Sequence, residues 1–162
     1  MGTTWSLQLA NPEFRALDAV RVLVESVLQD VIAQMSNWQG DSVISRFNAA
    51  PEDSWHALPP AFSRVLAAAM QWAERSAGAL DPTMGALVSL WGFGPRAEPL
   101  TPHSGQRPSE ARIDAARAQC GFQRLDWTPG QARIRQPGGL QLDLCGIAKG
   151  FAVDAVVARL RH

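Results

Sequence analysis

The chain contains no tyrosine, a single lysine and only two cysteines. Without a phenol ring, aromatic stacking must come from its six tryptophans and six phenylalanines. Lys149 is the one lysine among fifteen Lys and Arg residues, so every other fixed positive charge is an arginine, which reads as compositional bias rather than as a functional signal. Cys120 and Cys145 have no zinc-ligand spacing and cannot build a dense disulfide framework, so they read as separate buried thiols, with a single bridge between them as the alternative. Fifteen acidic side chains cancel the fifteen basic ones, which leaves no electrostatic footprint for nucleic acid and no basic face for a membrane. No apolar run approaches the length of a membrane span. Met1-Gly2-Thr3-Thr4-Trp5 lacks both the charged and the apolar region of a signal peptide, so the chain as written is expected to be cytoplasmic.

What is present is globular: 162 residues, 46% hydrophobic and 19% charged, enough for one domain with its own core. Thr4 to Leu9 alternates as a strand would, with Trp5, Leu7 and Leu9 on one face. Asn11-Pro12 resembles a cap followed by proline at the first helical position. Leu17, Val20, Val24, Val27, Val31 and Met35 then recur at three- and four-residue steps, which predicts a long amphipathic helix ending near Ser36-Asn37. A short helical turn is expected at Val43 to Asn48, and a second long helix from Pro59-Pro60 to about Ala77 with Gly78 as its cap. Asp81-Pro82-Thr83-Met84-Gly85 reads as a turn entering the apolar segment Ala86 to Trp91. An extended loop is expected from Gly92 to Pro108, then a helix from Ser109 to Gln119 closed by Gly121. Three short strands are predicted at 123–127, 132–135 and 140–144, and a final helix from about Ile147 to His162. That order predicts an α+β (or α/β) fold with mainly antiparallel pairing.

The stretch from Leu142 to Asp154 carries the most chemistry. It reads as a buried strand running into a glycine-flanked helix start, where unpaired N–H groups and Lys149 could hold an anion. Asp143 beside it could instead cap the helix, and Lys149 could be an ordinary solvated lysine. Cys145 lies at or near the helix start, four residues before Lys149, so its thiol pKa is expected to be lowered and its alkylation faster than that of Cys120. Asp81-Pro82-Thr83 has a purely structural account as a turn. Gly92-Phe93-Gly94-Pro95-Arg96-Ala97 fits the dinucleotide fingerprint by letter, but Pro95 and Pro99 prevent the helix that motif needs. No phosphate-binding G-x-x-x-x-G-K-[ST] loop and no G-x-S-x-G nucleophile elbow occur. His56, His103 and His162 are scattered and read as solvated.

Four segments taken in order resemble the ApbE family of FAD:protein FMN transferases. They are Met1 to Trp5, Met35-Ser36-Asn37-Trp38 through Asn48, Ala79-Leu80-Asp81-Pro82-Thr83-Met84-Gly85 with Leu90-Trp91-Gly92-Phe93-Gly94, and Asp143 to Asp154. The resemblance runs over residues 1–162, as the N-terminal part of a single domain of that family. It implies a T-fold-like, antiparallel-rich sheet with packed helices, truncated on its C-terminal side. It further implies an enzyme that binds FAD beside magnesium, cleaves the pyrophosphate, attaches FMN to a threonine hydroxyl of a target flavoprotein and releases AMP. By that likeness Met1, Trp38, Ala79, Leu80, Asp81, Cys145, Lys149 and Phe151 contact FAD, and the Ala148 carbonyl is a metal ligand. The family often has Ser at the Cys145 position and Tyr at the positions of Trp38 and Phe151. Stacking survives these ring changes, while the hydroxyl donors are lost. The family's second half completes the metal site, so a C-terminal half or a homodimer partner is expected, and this chain alone is expected not to turn over. Members are commonly exported to the periplasmic side of the inner membrane. The competing readings are a flavin-binding module and a fragment without catalysis.

Overall fold

The computed structural model describes residues 4–14, 16–95 and 107–161. Met1, His103, His162 and the middle of the Gly92–Pro108 loop lie outside them. Six helices and one small sheet are described: α1 (Asp18–Met35), α2 (Val43–Asn48), β1 (Trp55–Ala57), α3 (Pro60–Arg75), α4 (Gly85–Leu90), α5 (Glu110–Ala118), β2 (Arg133–Arg135) and α6 (Cys145–Leu160). This is an α+β arrangement in which α1 packs along α6, α3 packs on both, and β1 pairs antiparallel with β2. No described helix is long and apolar enough to cross a membrane.

Apolar periodicity located the long helices well, because their buried stripes face one core. Val24, Val31 and Met35 of α1 are buried, as are Phe62, Val65, Leu66, Ala69 and Ala73 of α3. α3 ends in a Schellman motif, with Gly78 N–H donating to the Ala73 carbonyl at 2.8 Å and Ala77 N–H to the Glu74 carbonyl at 3.1 Å. The left-handed position of that motif is Ala77, with φ of 51°, and Gly78 follows it rather than capping the helix itself. Ser109, expected as the first residue of α5, is instead its cap, the hydroxyl accepting from Arg112 N–H.

Several elements differ from the sequence expectation. Thr4 to Leu9 forms no strand, since no described strand offers it a ladder, and an isolated strand has no stability of its own. α1 starts at Asp18, not after Asn11-Pro12, because Phe14 closes a turn back to the Asn11 carbonyl with a left-handed φ of 49° that cannot continue into a helix. Residues 122–124 make a 3₁₀ turn instead of a strand. α6 begins at Cys145, two residues before the expected start. The segment 140–144 pairs only through one parallel bridge, Met84 with Gln141. Its faces nevertheless alternate as a strand's do, with Leu140, Leu142 and Leu144 buried in the core cluster. Side chains replace the missing ladder. Asn48 Oδ1 accepts from Leu142 N–H at 2.7 Å, and Asn48 Nδ2 and Asn37 Nδ2 donate to the Leu142 carbonyl at 2.9 and 3.2 Å. Buried Gln136 does the same one turn earlier, donating to the Phe47 and Leu140 carbonyls and accepting from Gly138 and Leu140 N–H. β1 has no counterpart in the sequence reading, because three residues after Pro51 and Asp53 carry no alternation to detect.

Candidate functional site

The buried alternation of Leu140, Leu142 and Leu144 turns Gln141 and Asp143 away from the core. Toward them comes the turn between α3 and α4. Asp143 N–H donates to the Pro82 carbonyl at 2.8 Å, and Gly85 N–H donates to the Gln141 carbonyl at 3.0 Å. Glycine is required at 85: a Cβ there would lie 2.7 Å from both Cβ and the carbonyl oxygen of Gln141. The sequence segments around Asp81 and Asp143, 62 residues apart, are thereby stitched into one surface.

Within the turn, Asp81 Oδ1 accepts from Thr83 N–H at 2.8 Å and from the Thr83 hydroxyl at 2.6 Å, while Oδ2 accepts from Phe122 N–H at 3.1 Å. Buried Thr83 Oγ1 accepts from Gly121 N–H at 2.8 Å. Both carboxylate oxygens are thus committed to holding the turn against residues 121–122. The purely structural account of Asp81-Pro82-Thr83 holds for its side chain. What the turn exposes is Ala79, Leu80 and backbone.

Asp143 lies one residue before Leu144, the N-cap of α6, and ties down the helix start as its place suggested: Oδ1 accepts from Cys145 N–H at 2.7 Å. Ile147 and Ala148 N–H both donate to the Leu144 carbonyl. Gly146 therefore carries the first-turn N–H without a described acceptor. A carboxylate already sits at this helix start, so a phosphate approaching it meets a negative charge beside the one first-turn N–H that has no acceptor among the described residues.

The structure reverses the expectation for Cys145. Its thiol pKa is pushed up to about 11, first by burial and then by the charge of Asp143 and a hydrogen bond with it, which outweigh the opposing effect of Lys149. The helix-start and lysine effects expected to activate it lose to desolvation and an adjacent carboxylate. Cys120 is also raised, chiefly by burial. Neither is an activated thiol, and both are free.

A cavity of about 340 Å³ opens between the turn and the helix start, bounded by Leu80, Asp81, Pro82, Met84, Phe93, Asp143, Cys145, Gly146 and Ile147. It brings together Leu80, Asp81 and Cys145 of the expected site, with Ala79 on the same turn. On the other flank of the α6 first turn, a narrow crevice joins Met35, Ser36, Cys145, Ala148 and Lys149. Lys149 is exposed there. Trp38 follows the end of α1, 55% exposed, its N–H donating to Ser36 Oγ at 3.3 Å. Phe151 is half-buried against the core and lines neither recess. Met1 lies outside the described residues. A second cavity of about 350 Å³, lined by Asn37, Ser45, Asn48, Ser89, Gln141 and Asp143 among others, adjoins the first at Val88 and Asp143. Asp143, Gly146, Gly85 and Phe93 were absent from the expected contact set. Its place beside the α6 start pointed at Asp143 only as a helix-stabilising group, and nothing local pointed at the close approach of Gly85.

Magnesium does not fit on the described residues alone. No group of three His, Cys, Asp or Glu side chains converges among them. The Ala148 carbonyl belongs to the first turn of a helix, and with one nearby carboxylate it falls short of the six oxygens that the ion takes.

The ApbE family profile matches residues 1–162. The FAD:protein FMN transferase of Vibrio cholerae is 33% identical over 162 residues, 99% of this chain and 47% of that protein. That of Klebsiella pneumoniae is 30% identical over 95% of this chain and 43% of that protein. Among solved structures, the flavin transferase ApbE of Vibrio cholerae matches with a TM-score of 0.82 at 32% identity, over 94% of this chain and 47% of the other. The flavinyl transferase ApbE of Pseudomonas stutzeri matches with a TM-score of 0.78 at 37% identity, over 91% of this chain and 47% of the other. The chain spans about half the length of the curated relatives it matches. With sequence agreement along its whole length and fold agreement over nearly all of it, the chain belongs to the ApbE family.

Proposed function

We propose that this chain carries the FAD-binding face of an FAD:protein FMN transferase and works only when the other half of the site is supplied. The observation that carries this is the convergence of the Ala79–Asp81 turn and the α6 start on one cavity, in a chain matched to the family along its whole length. In this reading FAD is substrate. The exposed turn backbone and Leu80 seat part of it, Gly146 N–H meets its phosphates, Lys149 adds charge on the far flank, and Trp38 offers an exposed face for stacking. Asp143 beside the pyrophosphate calls for a cation between them. Magnesium would serve there, with the Ala148 carbonyl as one ligand and the rest from the other half, and when bound it would neutralise the pyrophosphate. The acceptor is a threonine hydroxyl of a target flavoprotein, with AMP released.

The second half also has a surface to cover. α1 and α6 leave a groove of about 830 Å³ lined by Ala19, Val22, Leu23, Val27, Ala155 and Ala158, with Ser26, Asp30 and Arg159 as its polar members. Val22 on α1 and Val153 on α6 are 64% and 63% exposed. Exposed apolar side chains on helix faces of this kind are interface material, and the half-length match to the relatives supports reading the occupant as a C-terminal half like theirs. The metal shortfall favours one other reading, a flavin-binding module that holds FAD without cleaving it.

Calorimetric titration of FAD into the chain, with and without magnesium, tests the binding claim. The titration is then repeated with the C-terminal half of the Vibrio cholerae relative present, with AMP release assayed in parallel. Weak binding alone, tightening in the complex with magnesium-dependent AMP release, is the expected result. Binding that never leads to AMP release selects the binding module, and no FAD binding in either state refutes both readings. A second copy of the chain in place of the C-terminal half would show as a dimer by light scattering.

A further inference from the structure

Phe93 is an apolar ring that is 77% exposed on a hydrogen-bonded backbone. Its backbone completes a Schellman motif closing α4: Phe93 N–H donates to the Val88 carbonyl at 3.0 Å and Gly92 N–H to the Ser89 carbonyl at 3.1 Å, with Gly92 left-handed at φ of 85°. Gly94 then passes so close to Ser89 that a Cβ would lie 3.2 Å from its Oγ. The ordinary purpose of an apolar residue at this position of the motif is to bury itself on the helix's last turn, here against Val88. Phe93 leaves three-quarters of its surface in solvent instead, while bounding the 340 Å³ cavity. Leu80, Pro82, Met84 and Ile147 supply apolar lining, while the polar lining comes from Asp81, whose carboxylate is committed to its own turn, and from Asp143, Cys145 and Gly146 at the α6 start. A largely apolar cavity with an exposed ring on its lining and a helix-start N–H beside it suits a planar heteroaromatic ring joined to a phosphate. Trp38 and Phe151, the aromatic residues expected to meet FAD, do not line it.

We propose that Phe93 is the stacking wall for one planar ring of FAD, the cavity holding that ring while the attached phosphate lies toward Gly146. This rests on the FAD reading above, with FMN and AMP as separate probes of which ring is held.

The test is titration of FAD, FMN and AMP into the full chain and its F93A, F93L and F93W variants, followed by calorimetry and, for the flavins, by fluorescence quenching. At 77% exposure the substitutions leave the core untouched, and thermal melts check this. F93A should weaken FAD roughly threefold to tenfold, F93L should not restore it, and F93W should match or exceed the parent. The half-ligand that weakens in step identifies the ring. FAD affinity unchanged in F93A, equal losses in F93A and F93W, or no loss on either half-ligand overturns the assignment while leaving the FAD reading in place. Absence of FAD binding to the parent chain, both alone and with the C-terminal half of the relative present, defeats the FAD reading itself, and the stacking wall with it.

Discussion

Replacing Gly85 with alanine sets two effects of opposite sign against each other. Gly85 is the first residue of α4, where alanine is the better helix former by up to about 1 kcal/mol, and less at a helix end. Against this, the added Cβ would sit 2.7 Å from Gln141 Cβ and from its carbonyl oxygen, and 2.9 Å from its carbonyl carbon. A flexible side chain could swing clear, but two of these three atoms are backbone. That backbone cannot yield cheaply, because the next residue, Leu142, is held at both N–H and carbonyl by Asn48. Overpacking of this kind costs about 1–3 kcal/mol, and losing the 3.0 Å Gly85–Gln141 hydrogen bond adds about 1 kcal/mol. Net destabilisation of about 2–3 kcal/mol should lower the melting temperature by roughly 4–12 °C for a chain of this size. The assay is thermal unfolding followed by circular dichroism, with G40A as the control, since a Cβ at Gly40 meets nothing within 4 Å. Because the same contact joins the turn to residues 141–143, FAD binding should weaken in G85A even well below its melting temperature. A G85A variant that melts with the parent, or above it, would refute the close-approach argument and leave helix propensity as the winning effect.

Asn48→Ala should destabilise by about 1–3 kcal/mol in urea titration, because it strips Leu142 N–H and part of its carbonyl satisfaction in the interior. Asn48→Asp, which keeps the acceptor and loses the donor, should fall between the two. Alkylation of Cys145 should be slow at pH 8 and still rising toward pH 11, and D143N, which removes the opposing charge, should speed it. A plateau by pH 8, measured by mass spectrometry of the labelled peptide, would contradict the raised pKa. The same shift has a stability consequence of fixed sign. The folded state holds the thiol proton more tightly than the unfolded one, so Cys145 contributes stability that is present below pH 9 and lost as pH climbs toward 11. C145A should flatten that part of the pH–stability curve. V22D should leave the melting temperature of the isolated chain within a few degrees, since Val22 is 64% exposed, but should abolish association with the C-terminal half of a relative in size-exclusion chromatography.

The long helices were legible because each carries its own evidence: the spacing of Val24, Val31 and Met35, or of Phe62, Val65, Leu66 and Ala69, needs nothing from the rest of the chain. Strands at 4–9 and 140–144 failed for two different physical reasons. A strand pattern states which face is buried, and at Leu140, Leu142 and Leu144 that statement was right; it does not state what satisfies the backbone. At 142 the partner is Asn48, 94 residues away, whose amide offers the same donor and acceptor pair as a neighbouring strand. At 4–9 the alternation is real, but none of the described strands pairs with it. The candidate site divides in the same way. Motif order located the Ala79–Asp81 turn and the α6 start, because those segments carry distinctive residues. Their meeting depends on Gly85 and Gln141, where the deciding feature is a missing side chain, and the electrostatics of Cys145 depend on how deeply the fold buries it. Spacing to Lys149 could suggest a lowered thiol pKa, but burial and the distance to Asp143 set its sign, and both are tertiary quantities.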